Sequence, residues 1–200
     1  MTLADQHDPA PVRETEVVFE GRVWDVRRDV VDLPTGPVVR DYVQHTGAVA
    51  IVALDDADRV LLIRQYRHPI RTHEWELPAG LLDVPGEPPE VTASRELWEE
   101  ADLRAERWWR LGEHHSSPGG LTERMHVFLA RGLTVVPEDE RHVRTDEEAG
   151  LKTRWVPLDE VADAILAGHL GNATLIVSVL MARELRSRGW AGLRPVESLD

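Results

Sequence analysis

Residues 80–103 read GLLDVPGEPPEVTASRELWEEADL, and the arrangement of the chain follows from this stretch. Glu96, Glu99 and Glu100 stand at i, i+3 and i+4, a spacing that a helix gathers onto one side within roughly 100° of arc. Leu97, Trp98, Ala101 and Val91 fall on the other side, so the spacing predicts a helix that buries an apolar face and presents acid. Like charges at i, i+4 oppose such a helix by about 0.2–0.5 kcal/mol per pair, and a divalent cation reverses the sign. Clustered carboxylate oxygens suit hard ions such as Mg²⁺ or Mn²⁺, which often bind through a few carboxylates together with substrate phosphates. A solvated acidic helix face is the alternative reading of the same residues.

The residues in front sharpen the prediction. Pro88 and Pro89 can open a helix but not continue one, so the helix starts near Pro89 after a loop from Gly80 to Glu87. Glu74, Trp75, Glu76 and Leu77 read as a strand end delivered to Pro78, Ala79 and Gly80. Strand, glycine loop and helix in succession are a common layout for active sites.

On these residues the chain resembles the Nudix hydrolases, whose box runs G, five residues, E, seven residues, then R-E-U-x-E-E-x-G-U with U aliphatic. Glu87, seven residues, Arg95, Glu96, Leu97, Trp98, Glu99, Glu100 and finally Leu103 match it. Two positions depart: six residues separate Gly80 from Glu87, and Asp102 stands where the box has its second glycine. An added loop residue can bulge without moving the helix, and aspartate tolerates the left-handed conformation of a helix end better than most residues. The resemblance implies that Glu96 and Glu100 bind metal directly, that Glu99 binds metal or orients metal-bound water, and that the Ala79 carbonyl adds a ligand. It also implies that Arg95 and Glu87 pair to brace the loop that begins at Gly80.

Composition bounds the rest. Two hundred residues, 42% of them hydrophobic, make one ordinary domain plus an appendage. With no cysteine, disulfides and thiolate metal sites are excluded, and a reducing, cytoplasmic setting is expected. No apolar run approaches the length that spans a membrane. A net charge of −13 argues against nucleic acid as a partner, since that binding needs clustered Lys and Arg. An anionic small substrate must then rely on metal and local arginines, for which Arg64, Arg67 and Arg71 flank a strand.

Residues 17–33 and 38–45 read as strands around a turn at 34–37, a small antiparallel unit over residues 1–45. Residues 48–54 and 60–66 read as a hairpin of core strands. Strands follow at 108–113, 126–130 and 152–156, and helices at 158–167 and 172–188, with Asn172 as N-cap and Gly189 as stop. Strands interleaved with helices predict an α/β fold with a mixed sheet, and the resemblance implies the α/β/α sandwich of the family over residues 46–200. His114 and His115 read as a solvent-facing pair, and Trp108 and Trp109 as core packing.

Within the family, ADP-ribose pyrophosphatases resemble this chain in carrying a proline about fifteen residues past the box, where Pro118 stands, and in the lead-in at 75–80. The resemblance implies Mg²⁺- or Mn²⁺-dependent hydrolysis of ADP-ribose to AMP and ribose 5-phosphate. It also implies a base from the acidic stretch 145–150, where Glu147 fits best and Glu148 second. Arg64, Arg67, Trp75, Pro118 and Glu123 are the expected substrate contacts. A homodimer built through the N-terminal strands is expected too. Two other readings stay open: hydrolysis of another nucleoside diphosphate derivative, such as a nucleotide sugar or dinucleoside polyphosphate, and a noncatalytic module that senses ADP-ribose.

Overall fold

Val12–Phe19 (β1), Asp25–Leu33 (β2) and Gly36–Gln44 (β3) form an antiparallel sheet in that order. The computed structural model describes residues 3–144, 150–197 and 199. The predicted turn at 34–37 is tighter than its four residues suggest. Leu33 pairs directly with Gly36, whose φ of 118° only glycine reaches at little cost, leaving a two-residue reversal. The stretch 17–33 is two strands rather than one, broken around Gly21, where a Cβ would meet the Trp24 carbonyl oxygen. These strands group with Ser117–Glu123 into one compact unit, and Thr46–Ser116 with Arg124–Asp200 form the other. In the first unit the loop at 117–123 runs along β3, with Val43 N–H donating to the Gly120 carbonyl at 2.9 Å and Thr122 N–H to the Val43 carbonyl at 3.0 Å.

The second unit is built on Ala48–Ala53 (β4), buried along its whole length. Arg59–Arg67 (β5), Thr72–Glu76 (β6), Ala79–Leu81 (β7), Leu103–His114 (β8), Met125–Val135 (β9), Lys152–Pro157 (β10) and Arg194–Pro195 (β11) complete its strands among the described residues. They make a five-stranded mixed sheet, β11-β8-β9-β4-β7, and a three-stranded one, β10-β5-β6. In the larger sheet β4 runs parallel to β9, with Ala48 opposite Met125, and antiparallel to β7.

The expected hairpin of β4 and β5 does not form. A single bridge, Leu54 to Val60, joins them before they part into different sheets. The physical reason is burial: β4 is apolar on both faces and takes a central place that needs two partners, which β7 and β9 provide.

Pro89–Ala101 (α1), Leu158–Leu166 (α2) and Ala173–Ser187 (α3) cover the sheet. Alternation along β4 divides the core. Ala48, Ala50 and Val52 share a buried cluster with Val161 and Ala162 of α2 and Leu175 and Val179 of α3, while Val49, Ile51 and Ala53 share another with Ala93 and Leu97 of α1. One helix therefore lies on one face and two on the other, an α/β/α sandwich. Asn172 caps α3 by accepting from Leu175 N–H at 2.9 Å, and Gly189, at φ 65°, follows its end. Among the described residues no helix is long and apolar enough to cross a membrane.

Candidate metal centre

Helix α1 starts where its prolines require. Pro88 is the N-cap, and its carbonyl accepts from Val91 and Thr92 N–H at 3.0 and 3.1 Å. The buried stripe is not the one expected. It comprises Thr92, Ala93, Glu96, Leu97 and Glu100, so two of the acidic residues face inwards. Leu97 packs into the core, a burial that stabilises by about 1.5–3 kcal/mol. Trp98 instead lies on the outer side, donating its indole N–H to the Glu140 carbonyl at 3.0 Å.

Gly80 explains how acid can face inwards. It lies in β7, paired with Val49, and is not the turn read from the sequence. A Cβ there would stand 2.0 Å from Glu96 Cδ and 2.1 Å from its Oε1. Glycine is thus required by the close approach of a carboxylate. Further along, Glu87 N–H donates to the Val84 carbonyl at 3.1 Å and Gly86 takes a φ of 81°, a local turn in the loop that carries the extra residue.

Arg95 organises the acidic side chains. Its Nη2 donates to Glu87 Oε2 at 3.2 Å, and its Nη1 donates to Glu96 Oε1 at 2.7 Å and Glu99 Oε2 at 3.0 Å. Burial opposes the guanidinium charge, but the bond to Glu87 and the fields of Glu96, Glu99 and Glu87 outweigh it and hold its pKa above the ordinary value. The Thr92 hydroxyl, 2.7 Å from Glu87 Oε2, lowers the pKa of that carboxyl; burial opposes the shift, and the hydrogen bond and charge of Arg95 add to it.

Because folding lowers the Glu87 pKa, the associated stability is present above the unfolded value of 4.5 and is lost as pH falls through the lower folded value. Thr92→Val removes the hydroxyl donor. It is expected to lower the unfolding free energy by about 1 kcal/mol at neutral pH, with the deficit shrinking in acid, as measured by denaturant titrations at several pH values. A deficit independent of pH would assign the loss to packing alone.

Glu96 is 8% and Glu100 4% exposed, and Glu99 is partly buried. Three carboxylates, Glu87, Glu96 and Glu99, bond to one guanidinium, with Asp83 3.8 Å away, and buried carboxylates are costly without matching positive charge. Among the described residues no three acidic or histidine side chains converge on one ion position. Glu96 and Glu99 turn towards Arg95, and Glu100 Oε2 accepts from Ala79 N–H at 2.8 Å. The donor set nevertheless fits a hard divalent cation, with all-oxygen ligands on adjoining sides of one helix end and an excess of negative charge, once side-chain rotation gathers them.

The other expected site residues are spread. Arg67 on β5 holds the buried Glu76 through two bonds, at 2.8 and 2.6 Å, and the Arg64 guanidinium lies 5.9 Å from the Trp75 ring centre. Pro118 is exposed in the loop at 117–123, and Glu123 Oε1 lies 3.3 Å from His45 Nε2, both within the first unit. Glu147 and Glu148 lie outside the described residues. The solvent-facing histidine pair is corrected: both ring nitrogens of His114 are buried, and only His115 is exposed. Trp108 packs edge-on against Phe128 in the core.

Sequence reasoning missed Glu76, Thr92 and Arg144. The Arg144 Nε donates to the Glu99 carbonyl at 2.8 Å, and its Nη2 lies 2.7 Å from Asp102 Oδ2. An acid at the strand end Thr72–Glu76 was the available signal for Glu76; nothing in the local sequence signals the others.

Residues 44–176 match the NUDIX domain. The chain belongs to the Nudix family. It is 41% identical over 194 residues to the ADP-ribose pyrophosphatase of Mycobacterium tuberculosis, covering 96% of this chain and 91% of that one. To the ADP-ribose pyrophosphatase of Bacillus subtilis it is 40% identical over 133 residues, 66% of this chain and 71% of the relative. A crystal structure of an ADP compounds hydrolase superposes with a TM-score of 0.74 at 25% identity, covering 93% of this chain and 99% of that one. The stretch 80–103, with Asp102 where the family's box has its second glycine, lies within the matched residues.

Proposed function

We propose that this Nudix enzyme hydrolyses ADP-ribose to AMP and ribose 5-phosphate, with Mg²⁺ or Mn²⁺ as cofactor. The similarity along nearly the whole chain to an ADP-ribose pyrophosphatase carries the choice of substrate. The inward-facing carboxylates of α1 support the metal-dependent chemistry.

Glu96, Glu99 and Glu100, with the Ala79 carbonyl, are the residues proposed to hold the metal. When bound, the ion lowers the pKa of a water molecule and neutralises charge on the phosphoryl oxygens. Gly80 leaves room for Glu96, and Arg95 keeps the acidic side chains from repelling one another and ties the helix to Glu87. Water adds through oxygen to one phosphorus of the diphosphate, the bridging P–O bond breaks, and a base takes the proton. Glu147 is the proposed base and Glu148 the second choice. Arg64, Arg67 and Trp75 are proposed to contact the substrate, and Pro118 and Glu123 join them on the resemblance of their loop alone.

A homodimer belongs to the same proposal. Every residue of β1 is exposed, including Val17, Val18 and Phe19, and β1 is the edge of its sheet, the kind of strand that isolated proteins normally protect. Light scattering is expected to give twice the 22.6 kDa chain mass, and a monomer would remove the dimer.

The substrate is tested by comparing kcat/KM for ADP-ribose, a nucleotide sugar and a dinucleoside polyphosphate. ADP-ribose is expected to lead by about tenfold or more, since groups specific to one substrate are worth at least that in transition-state binding. Preference for another compound would replace it as substrate, and binding without turnover would make the protein a sensor.

A further inference from the structure

Asp102 closes the box helix at φ 53° and ψ 39°, a conformation that glycine adopts more easily than any other residue. Its Oδ1 is also buried with no hydrogen-bond partner among the described residues. Both features disfavour aspartate against glycine, so the compensation lies in what the other carboxylate oxygen holds. That partner is Arg144, whose Nη2 lies 2.7 Å from Oδ2. The Arg144 Nε donates at 2.8 Å to the Glu99 carbonyl, one of the last four of the helix, which have no partner within it. A single guanidinium therefore spans the final turn and places positive charge at the negative end of the helix.

The residues leading to Arg144 are fastened to the same end of the helix. Trp98 donates to the Glu140 carbonyl and meets His142 edge-on at 5.5 Å, and Arg104 Nη2 donates to Glu140 Oε2 at 2.8 Å. The last turn so clamped carries Glu99 and Glu100.

We propose that Asp102 and Arg144 form a latch that fixes the last turn of the box helix and so aims the Glu99 and Glu100 carboxylates. Arg144 is then a positioning residue, touching neither substrate nor metal. Its Nε hydrogen-bonds the Glu99 carbonyl while its Nη2, with no hydrogen bond among the described residues, pairs with Asp102 by charge, a double reach that the single ammonium of lysine lacks. The inference rests on the metal-site reading above, but not on the identity of the substrate.

The test compares Asp102→Gly, Arg144→Ala, Arg144→Lys and the Asp102→Gly/Arg144→Ala double variant with the parent, in melting temperature, Mn²⁺ affinity and kcat against KM. Asp102→Gly is expected to stay folded and to melt close to the parent, because relief of the left-handed position and of the buried Oδ1 offsets the lost ion pair to Arg144. It should nevertheless bind Mn²⁺ about tenfold more weakly, as residues that orient metal ligands commonly do when replaced, with kcat reduced and KM unchanged. Arg144→Ala and Arg144→Lys should show the same loss, and the double variant should be no worse than either single. Should Arg144→Ala fail to fold, Asp102→Gly decides. Parental Mn²⁺ affinity in Asp102→Gly would overturn the latch, whatever its melting temperature. A parent that binds Mn²⁺ but leaves ADP-ribose intact would sink the substrate assignment, while Mn²⁺ affinity still judges the latch.

Discussion

Gly80→Ala is expected to yield a folded protein with kcat reduced by about 10²-fold or more, the scale that a misplacement of 1 Å can cost. The added methyl would stand 2.0 Å from Glu96 Cδ, whereas ordinary contact begins at 3.4 Å, so the carboxylate must retreat by 1.4 Å (3.4 − 2.0) or swing away. The yielding atom is the far end of a flexible side chain, and Gly80 is not at positive φ, so the backbone of β7 need not move. Alanine also restricts the unfolded chain, which favours folding by about 0.4–1 kcal/mol and partly offsets the crowding. Stability therefore changes little while activity collapses. Kinetics and a thermal melt on the same preparation check this, and an alanine variant with parental kcat would mean that Glu96 does not work from the position seen here.

Glu100→Gln is expected to have the larger effect, a loss of about 10³-fold in kcat, since stabilisation of charge by a bound metal is worth several kcal/mol and each 1.36 kcal/mol is tenfold. Glutamine keeps the shape and can still accept from Ala79 N–H, so the loss reports charge rather than packing. Neutralising a side chain that is only 4% exposed removes the cost of burying its charge, and the metal-free variant is expected to melt no lower than the parent. Only the parent should gain stability on adding Mg²⁺ or Mn²⁺, in proportion to RT ln(1 + [metal]/Kd). Equal gains in both proteins would take Glu100 out of the metal site without any appeal to activity. The same experiment on Glu96→Gln separates the two ligands.

What the sequence made legible was local. The start of α1 at Pro89, its acidic spacing and the N-cap at Asn172 depend on residues within a few positions of each other, and the structure has them where they were read. What it hid depends on partners far along the chain. The acid of α1 faces inwards because β7 offers a glycine at position 80, sixteen residues before Glu96, against which a carboxylate can lie. Strand β4 left its neighbour β5 because its two apolar faces demanded a central position, a property of the sheet and not of the turn between them. Glu76 looked like one more polar residue at a strand end until Arg67, from the neighbouring strand, closed on it. Asp102 looked like a flaw in the box. In the fold it is half of a contact whose other half, Arg144, lies forty-two residues away.

These observations converge on one helix end, where carboxylates are crowded inwards by a glycine strand and held from outside by arginines. The claim that this end holds a metal for the cleavage of ADP-ribose is tested most directly by following ADP-ribose with the purified protein in Mg²⁺, in chelator, and in chelator followed by excess Mg²⁺. The account predicts AMP and ribose 5-phosphate in equal amounts with Mg²⁺, none in chelator, and full return when the ion is restored. Cleavage undiminished by chelator, or intact ADP-ribose in the presence of both Mg²⁺ and Mn²⁺, would contradict it.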